Sequence, residues 1–187
     1  MQTRIDVIKH LISRFGYKSY LEVGVQYMQC WNEIECEKKV GVEPNPLPQD
    51  TRILPMVSDE FFQNNNDKFD IIFIDGDHNH EQALRDINHA FMFLNPGGCV
   101  VCHDTYPPNE AYTNPYHCGT VFKAICDMRS EPGIDICTYI EDFGVCVMRR
   151  GDNLPIDVKG LSFEKFYERA TEILNLQPWE GFVKHYE

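Results

Sequence analysis

Two short stretches of this chain concentrate side chains that can move protons or hold a cation: Asp75-Gly76-Asp77-His78 and His103-Asp104. His78 titrates near neutrality and is a candidate general base, with Asp77 beside it either to orient the imidazole or to take the proton itself. Asp75 and Asp104, once brought close, repel each other unless a proton or a metal ion lies between them. The pair is therefore a candidate cation site, to which His103 can add a ring nitrogen. A second kind of chemistry lies upstream, where Gly24 in Leu21-Glu22-Val23-Gly24-Val25 precedes Glu43 by 19 residues. In nucleotide-binding βαβ units a similar interval separates the glycine that lets backbone approach a ligand from the acid that accepts the ribose hydroxyls. Asp59, in Ser58-Asp59-Glu60, has N-cap character and is also placed to meet a bound base.

Such residues need strands that end at them. Residues 71–74 and 99–102 are continuous apolar runs, the pattern of parallel strands covered on both faces, and each runs directly into the polar residues just named. Between them Ala83, Leu84, Ile87, Ala90, Phe91 and Leu94 recur at helical spacing, and Asn95-Pro96-Gly97-Gly98 is expected to stop that helix. The result is a βαβ unit. A right-handed crossover sets its strands close together, so that Asp75 and Asp104 meet at the carboxyl ends, where open α/β sheets bind ligands. Residues 18–23, ending at Gly24, and 40–42, ending at Glu43, read as further strands. Residues 52–57 read as another, with Pro55 arguing for an edge position. A short helix is expected around residues 30–35, and Asn45-Pro46-Leu47-Pro48 reads as loop. Residues 134–140 and 143–148 read as a hairpin turning at Glu141-Asp142. The stretch 106–117, rich in Pro, Asn and Tyr, has no periodicity and reads as a lid or substrate loop. Helices are expected over 1–16 and 161–176, the latter packing on the body or on a second subunit of a homo-oligomer.

The length, 187 residues, suits one domain with a substantial core. A net charge of -12, from 17 basic and 29 acidic residues, and the lack of any Lys/Arg-rich segment argue against a nucleic-acid partner. No apolar run approaches the roughly 20 residues that cross a bilayer. The N-terminus reads as a packed amphipathic helix and not as a secretory signal, so the expected location is cytoplasmic, without membrane partners. The eight cysteines are then expected to be thiols. Cys99 and Cys102 have CxxC spacing but fall within a strand, where residues three apart point to opposite faces, which argues against zinc.

The order of elements resembles the class I S-adenosylmethionine-dependent methyltransferases, an α/β Rossmann-like sandwich whose mostly parallel sheet ends in an antiparallel hairpin. LEVGV at 21–25 is similar to the first cofactor motif and VGVEP at 40–44 to the ribose-binding acid. FDIIFIDGDHNHEQALRDI followed by LNPGGCVVCHD is similar to the fourth and fifth strands. The DGDH and HD segments resemble the macrocin O-methyltransferase kind of small-molecule and sugar O-methyltransferases. The resemblance covers 18–150 and implies a hydroxyl of a small molecule or saccharide as acceptor. It also implies that Glu22, Gly24, Glu43, Asp59 and Asp75 lie around the cofactor, that Asp77 or His78 is the base, and that Asp75, Asp104 and His103 hold Mg²⁺ or another divalent ion. Metal-dependent relatives often carry a further acidic or amide ligand beside the position of Asp104, where this chain has His103 and Thr105. Two competing readings are an S-adenosylmethionine-binding protein without turnover and a nicotinamide-binding oxidoreductase domain, the latter disfavoured by the missing glycines after Gly24.

Overall fold

The computed structural model describes residues 1–47 and 50–187. Its scaffold is one eight-stranded sheet. In chain order the elements are α1 (Arg4–Phe15), β1 (Ser19–Val23), α2 (Gln29–Glu33), β2 (Lys38–Val42), β3 (Ile53–Leu54), α3 (Ser58–Asn64), β4 (Phe69–Ile74), α4 (His80–Met92) and β5 (Leu94–Cys102). There follow α5 (Val121–Arg129), β6 (Ile134–Tyr139), β7 (Val145–Arg150), α6 (Phe163–Glu168), α7 (Ala170–Leu174), β8 (Leu176–Gln177) and α8 (Trp179–His185). The strand order is β3-β2-β1-β4-β5-β7-β6-β8. Only β7 runs against its neighbours, pairing antiparallel with both β5 and β6.

The continuous apolar runs follow from burial on both faces. Along β4, Ile71 and Phe73 pack with α1, α2 and α8, whereas Ile72 and Ile74 pack with α3, α4 and α5. β1 lies between β2 and β4. The crossovers after β1 and β4 therefore run in opposite directions from one point in the sheet, and a crevice opens at the carboxyl ends there.

Several expectations shift. The Asn95-Pro96-Gly97-Gly98 segment does not stop α4, which ends at Met92 with the Phe93 N–H on the Ala90 carbonyl. It lies instead inside β5 as an irregularity, since Phe69 pairs with Leu94 and Ile71 already with Cys99. Gly98 is needed there because a Cβ would come within 2.5 Å of the Asp70 carbonyl oxygen. β3 keeps only two residues of the expected 52–57 and does take the edge. The Asn45–Pro48 loop reading falls partly outside the described residues. The single helix expected over 161–176 is two short helices with a break at Arg169, after which Asn175 turns left-handed (φ 48°) and the chain adds β8 and α8. In α8 Phe182 is fully buried, which contributes about 1.5–3 kcal/mol of hydrophobic stabilisation. All eight cysteines are free, and all but Cys36 are buried. None of the described helices is long and apolar enough to cross a membrane.

Candidate active site

The crevice has two sides. One is a cradle at the ends of β1 and β2. Gly24 has φ 89°, which L side chains rarely adopt, and a Cβ there would lie 2.2 Å from the Asp75 carbonyl oxygen, so only glycine lets β1 and β4 deliver their ends this close. Glu43 is held by two backbone donors, Gln26 N–H on Oε2 and Asn45 N–H on Oε1, each at 3.0 Å. The carboxylate keeps lone pairs free on both oxygens. Beside it opens a cavity of about 460 Å³ whose lining includes Gly24, Glu43, Asp59, Asp75, Asp77 and Asp86. Asp59 sits in the first turn of α3, half-exposed. The Gln82 amide bridges Asp59 Oδ1 at 3.2 Å to Asp86 Oδ1 at 3.0 Å. Burial pushes the Asp86 carboxyl up. Gln82 and Asp86 were not singled out by the sequence; they stand four apart on the polar flank of α4, a signal shared by most helices.

Glu22 lies beneath this cradle, only 1 % exposed. The Tyr20 hydroxyl donates to its Oε2 at 2.7 Å. Burial pushes its carboxyl up to about 7, against the pull of Tyr20 and Lys39.

The other side holds the titratable cluster. Asp75 follows β4, and Asp104 follows β5 in a left-handed conformation (φ 59°). His78 Nε2 stands 3.3 Å from Asp104 Oδ2 and 3.7 Å from Asp75 Oδ1. The His117 carbonyl meets its Nδ1. His103 Nδ1 lies 3.3 Å from Asp75 Oδ1 and 3.2 Å from Asp104 Oδ2. Its Nε2 edge faces Asp142 Oδ1 at 3.5 Å and Arg4 Nη1 at 3.1 Å. Burial would lower the His103 pKa, but Asp75, Asp104 and Asp142 together hold it well above the usual imidazole range. The nearby Arg4 donor favours the neutral ring; three carboxylates against one guanidinium decide the direction. Asp75 is held low, because His103, His78 and Arg4 outweigh its burial. Asp142 is held at about 2, with burial opposed by His103 and Arg4. His78 is raised, first by its contact with Asp75, against burial and with help from Asp104. The buried Cys118 thiol, in the loop before α5, is raised by burial and by the nearby Asp104 charge.

Two sequence expectations change here. Asp77 makes no contact with His78 among the described hydrogen bonds and ion pairs. Its Oδ1 accepts the Asn79 N–H at 2.8 Å, because the chain turns at that point to enter α4, and the His117 carbonyl takes the orienting position. Two groups of converging metal-ligand atoms lie among the described residues, each within 4.8 Å: Asp75, His78 and Asp104, and Asp59, Asp86 and His89; the first shares Asp75 and Asp104 with the expected set and has His78 where His103 was expected. His103 Nδ1 sits between the same two carboxylates, where a protonated ring donates to them. Sequence reasoning missed Arg4 and Asp142. Arg4 opens α1 and binds Asp142 Oδ1 at 3.1 Å through Nη1, while its backbone N–H meets Asp142 Oδ2 at 2.7 Å. Asp142 reaches inward because the hairpin turn puts it and Phe143 in the left-handed region (φ 51° and 59°). No local pattern announces a contact 138 residues apart.

The sheet order, the reversed β7 and a cradle at the β1/β4 switch point define the class I S-adenosylmethionine-dependent methyltransferase fold. A family model described as a methyltransferase domain matches residues 25–105, from the cradle loop to the residue after Asp104, so this part of the chain is similar to methyltransferase domains. Among solved structures, the Podospora anserina methyltransferase PaMTH1, bound to S-adenosylhomocysteine, is 17% identical, with a TM-score of 0.62 over 81% of this chain and 80% of that one. The O-methyltransferase TomG from Streptomyces achromogenes, involved in tomaymycin synthesis and bound to S-adenosylmethionine, is 14% identical, with a TM-score of 0.55 over 77% and 78%. MycE of the mycinamycin biosynthetic pathway, in complex with Mg, S-adenosylhomocysteine and mycinamycin VI, is 18% identical. Its TM-score is 0.54 over 84% of this chain and 51% of that one. A search of the curated proteins finds no match.

Proposed function

We propose that this chain transfers the methyl group of S-adenosylmethionine to a hydroxyl of a small molecule or saccharide. One observation carries the reading: Asp75 lines the cavity beside the Gly24–Glu43 cradle and also belongs to the Asp75–His78–Asp104 cluster, so the two adjoin through it. In this reading Glu43 accepts the ribose hydroxyls and Asp59 meets the adenine amino group. Both kinds of cofactor complex seen among the structural relatives, with S-adenosylmethionine and with S-adenosylhomocysteine, agree with a cradle of this kind.

Methyl transfer from a sulfonium is an in-line displacement, so the site must align the acceptor oxygen with the methyl carbon and take its proton. An alcohol is a poor nucleophile near neutral pH and needs a positioned base or a cation. His78 serves as the base: the His117 carbonyl fixes its ring and its Nε2 faces Asp104 and Asp75. Asp104 stabilises the imidazolium once the proton has moved. The relative MycE is described with Mg, and the two carboxylates and one imidazole gathered here fit a divalent cation, although Mg²⁺ itself prefers an all-oxygen set. Asp75, Asp104 and His78 would hold such an ion, and it would supply Lewis acidity that lowers the pKa of the acceptor hydroxyl; His78 Nε2 would then be a ligand in place of its role as base. The loop over 106–118 borders the acceptor side. Its Tyr112 stacks on Phe143 at 5.9 Å between ring centroids, an aromatic wall suited to the apolar face of a sugar or a ring.

The test is transfer of labelled methyl from S-adenosylmethionine to a panel of saccharides and small alcohols, with and without Mg²⁺ or Mn²⁺. Turnover with at least one hydroxyl acceptor, lost in Asp104→Asn while S-adenosylhomocysteine still binds, is the expected result. Transfer that goes to nitrogen or carbon acceptors alone would overturn the hydroxyl assignment.

A further inference from the structure

At the amino ends of β4 and β5, opposite the crevice, three cations line a cavity of about 340 Å³: Lys68, Arg149 and Arg150. Phe91, Met92 and Pro96 give it an apolar wall. Lys68 directly precedes β4, and the two arginines end β7. Each guanidinium is positioned by neutral groups. Arg149, half-buried, donates from Nη2 to the Gly97 carbonyl at 2.9 Å, and its guanidinium lies 4.1 Å from the Phe15 ring centroid. The same carbonyl takes the Tyr17 hydroxyl at 2.7 Å, which pins the turn. Arg150 Nη2 donates to the Phe91 carbonyl at 3.2 Å, with the Phe91 ring centroid 5.6 Å from its guanidinium. Carbonyls and rings hold a cation in place without supplying an opposite charge. The two acids at this end of β4 are engaged elsewhere. Asp67 pairs with Lys38 at 2.9 Å, and Asp70 accepts from the Lys18 and Ser19 N–H groups and from the Asn95 amide. In a chain of 29 acidic and 17 basic residues, the three cations around this cavity make no ion pair among the described residues.

We infer that this cavity binds the phosphate dianion of a small phosphorylated molecule, whose carbon body lies against Phe91, Met92 and Pro96. Like charges gathered in one place repel, and a doubly charged anion among them relieves that repulsion. The planar arginine fork matches phosphate oxygens, with the lysine as a point charge beside it. A single carboxylate would leave two of the three cations uncompensated. The volume lies at the lower end of the roughly 300–1,000 Å³ of small-molecule sites, which suits a compact phosphate monoester better than a dinucleotide. The six residues of β4 separate this cavity from Asp75 by about 20 Å, so its ligand is neither the cofactor nor the acceptor, and the inference stands independently of methyl transfer.

Calorimetric titration at low ionic strength tests it, with phenyl phosphate and inorganic phosphate as the probes. The wild-type chain should bind one phenyl phosphate, at least about threefold more tightly than inorganic phosphate, from partial burial of the apolar face. Arg149→Gln and Arg150→Gln should each weaken phenyl phosphate by about tenfold, the size of a lost charge-assisted contact, and Lys68→Gln by less. Saturation with S-adenosylhomocysteine should change the affinity by less than about twofold, because the crevice lies at the other end of the strands. Lys165→Gln, which removes a cation of α6 outside this cavity, should likewise leave binding unchanged. Absence of binding, competition with S-adenosylhomocysteine, or equal weakening by all four variants overturns the inference. Equal affinity for the two probes assigns the site to free phosphate and overturns the small-molecule ligand. Should either arginine variant fail to fold, Lys68→Gln still decides, since that side chain is exposed and makes no ion pair among the described residues; unchanged affinity in it overturns the site.

Discussion

The two sides of the crevice are built by different means. The cradle is short-range and made largely of backbone: Gly24 is required by its φ and by the Asp75 carbonyl, and Glu43 is fixed by amides of Gln26 and Asn45. The titratable side is long-range and made of charge. His103 is held among Asp75, Asp104 and Asp142, and Arg4 reaches it across 99 residues of sequence. A single substitution in the cradle should therefore act on geometry. One in the cluster should shift the charge balance and leave the cofactor's nucleoside end alone.

The strongest break is Gly24→Ala. A methyl group 2.2 Å from a backbone oxygen, at φ 89°, cannot be relieved by a side chain moving aside. The loss should exceed the roughly 1–3 kcal/mol of left-handed strain alone. A fall of several degrees in melting temperature together with lost S-adenosylhomocysteine binding is the expected result; a stable variant with normal binding would show that the strand ends need no such approach.

On the charged side, Asp104→Asn should reduce turnover by about a hundredfold or more, the range of a lost acid–base partner, with S-adenosylhomocysteine affinity nearly unchanged. His78→Ala should leave a residual rate that climbs with pH, since hydroxide partly replaces a missing base. A flat pH profile in that variant would assign the proton to another group.

This contrast also explains what could be read from the sequence. The β4–α4–β5 unit, its terminal Asp75 and Asp104, and the Gly24 to Glu43 interval depend on periodicity and on strand ends, which are local properties. The Asp77–His78 pairing was a guess from adjacency, and the turn into α4 gives Asp77 a backbone amide to cap instead. Arg4 and Asp142 had no local signature, because their meeting depends on how α1 and the β6–β7 turn lie across the finished sheet. At the C-terminus, Trp179, Phe182 and Tyr186 stand at helical spacing after Pro178, a local signal for α8 that the sequence reading, ending its last helix at 176, did not use; β8, of two residues, carries none.

Glu22 gives a pH test that separates the floor of the crevice from its rim. Its carboxyl rises from 4.5 to about 7 in the fold, so the native state holds its proton more tightly than the unfolded chain. That contribution is fully present below about 4.5 and is lost as pH rises through about 7, a change on the order of 3 kcal/mol. Denaturant melts of Glu22→Gln should lack this decline. Parallel curves for the variant and the wild type would place the ionising group elsewhere.

A smaller effect belongs to Asp142→Asn, which removes a charge from the Arg4 and His103 contacts but keeps a hydrogen-bonding group of the same shape. A destabilisation of about 1–2 kcal/mol is expected in denaturant melts, and a value near zero would make the α1 tie dispensable for folding.

The central claim is that Gly24 and Glu43 form the nucleoside end of an S-adenosylmethionine site. Calorimetric titration of S-adenosylhomocysteine into the wild type and Glu43→Ala tests it most directly. One binding site per chain, weakened in the variant by about 1.5–3 kcal/mol through loss of a charge-assisted pair to the ribose, is the predicted result. Equal affinity of the two proteins would contradict it.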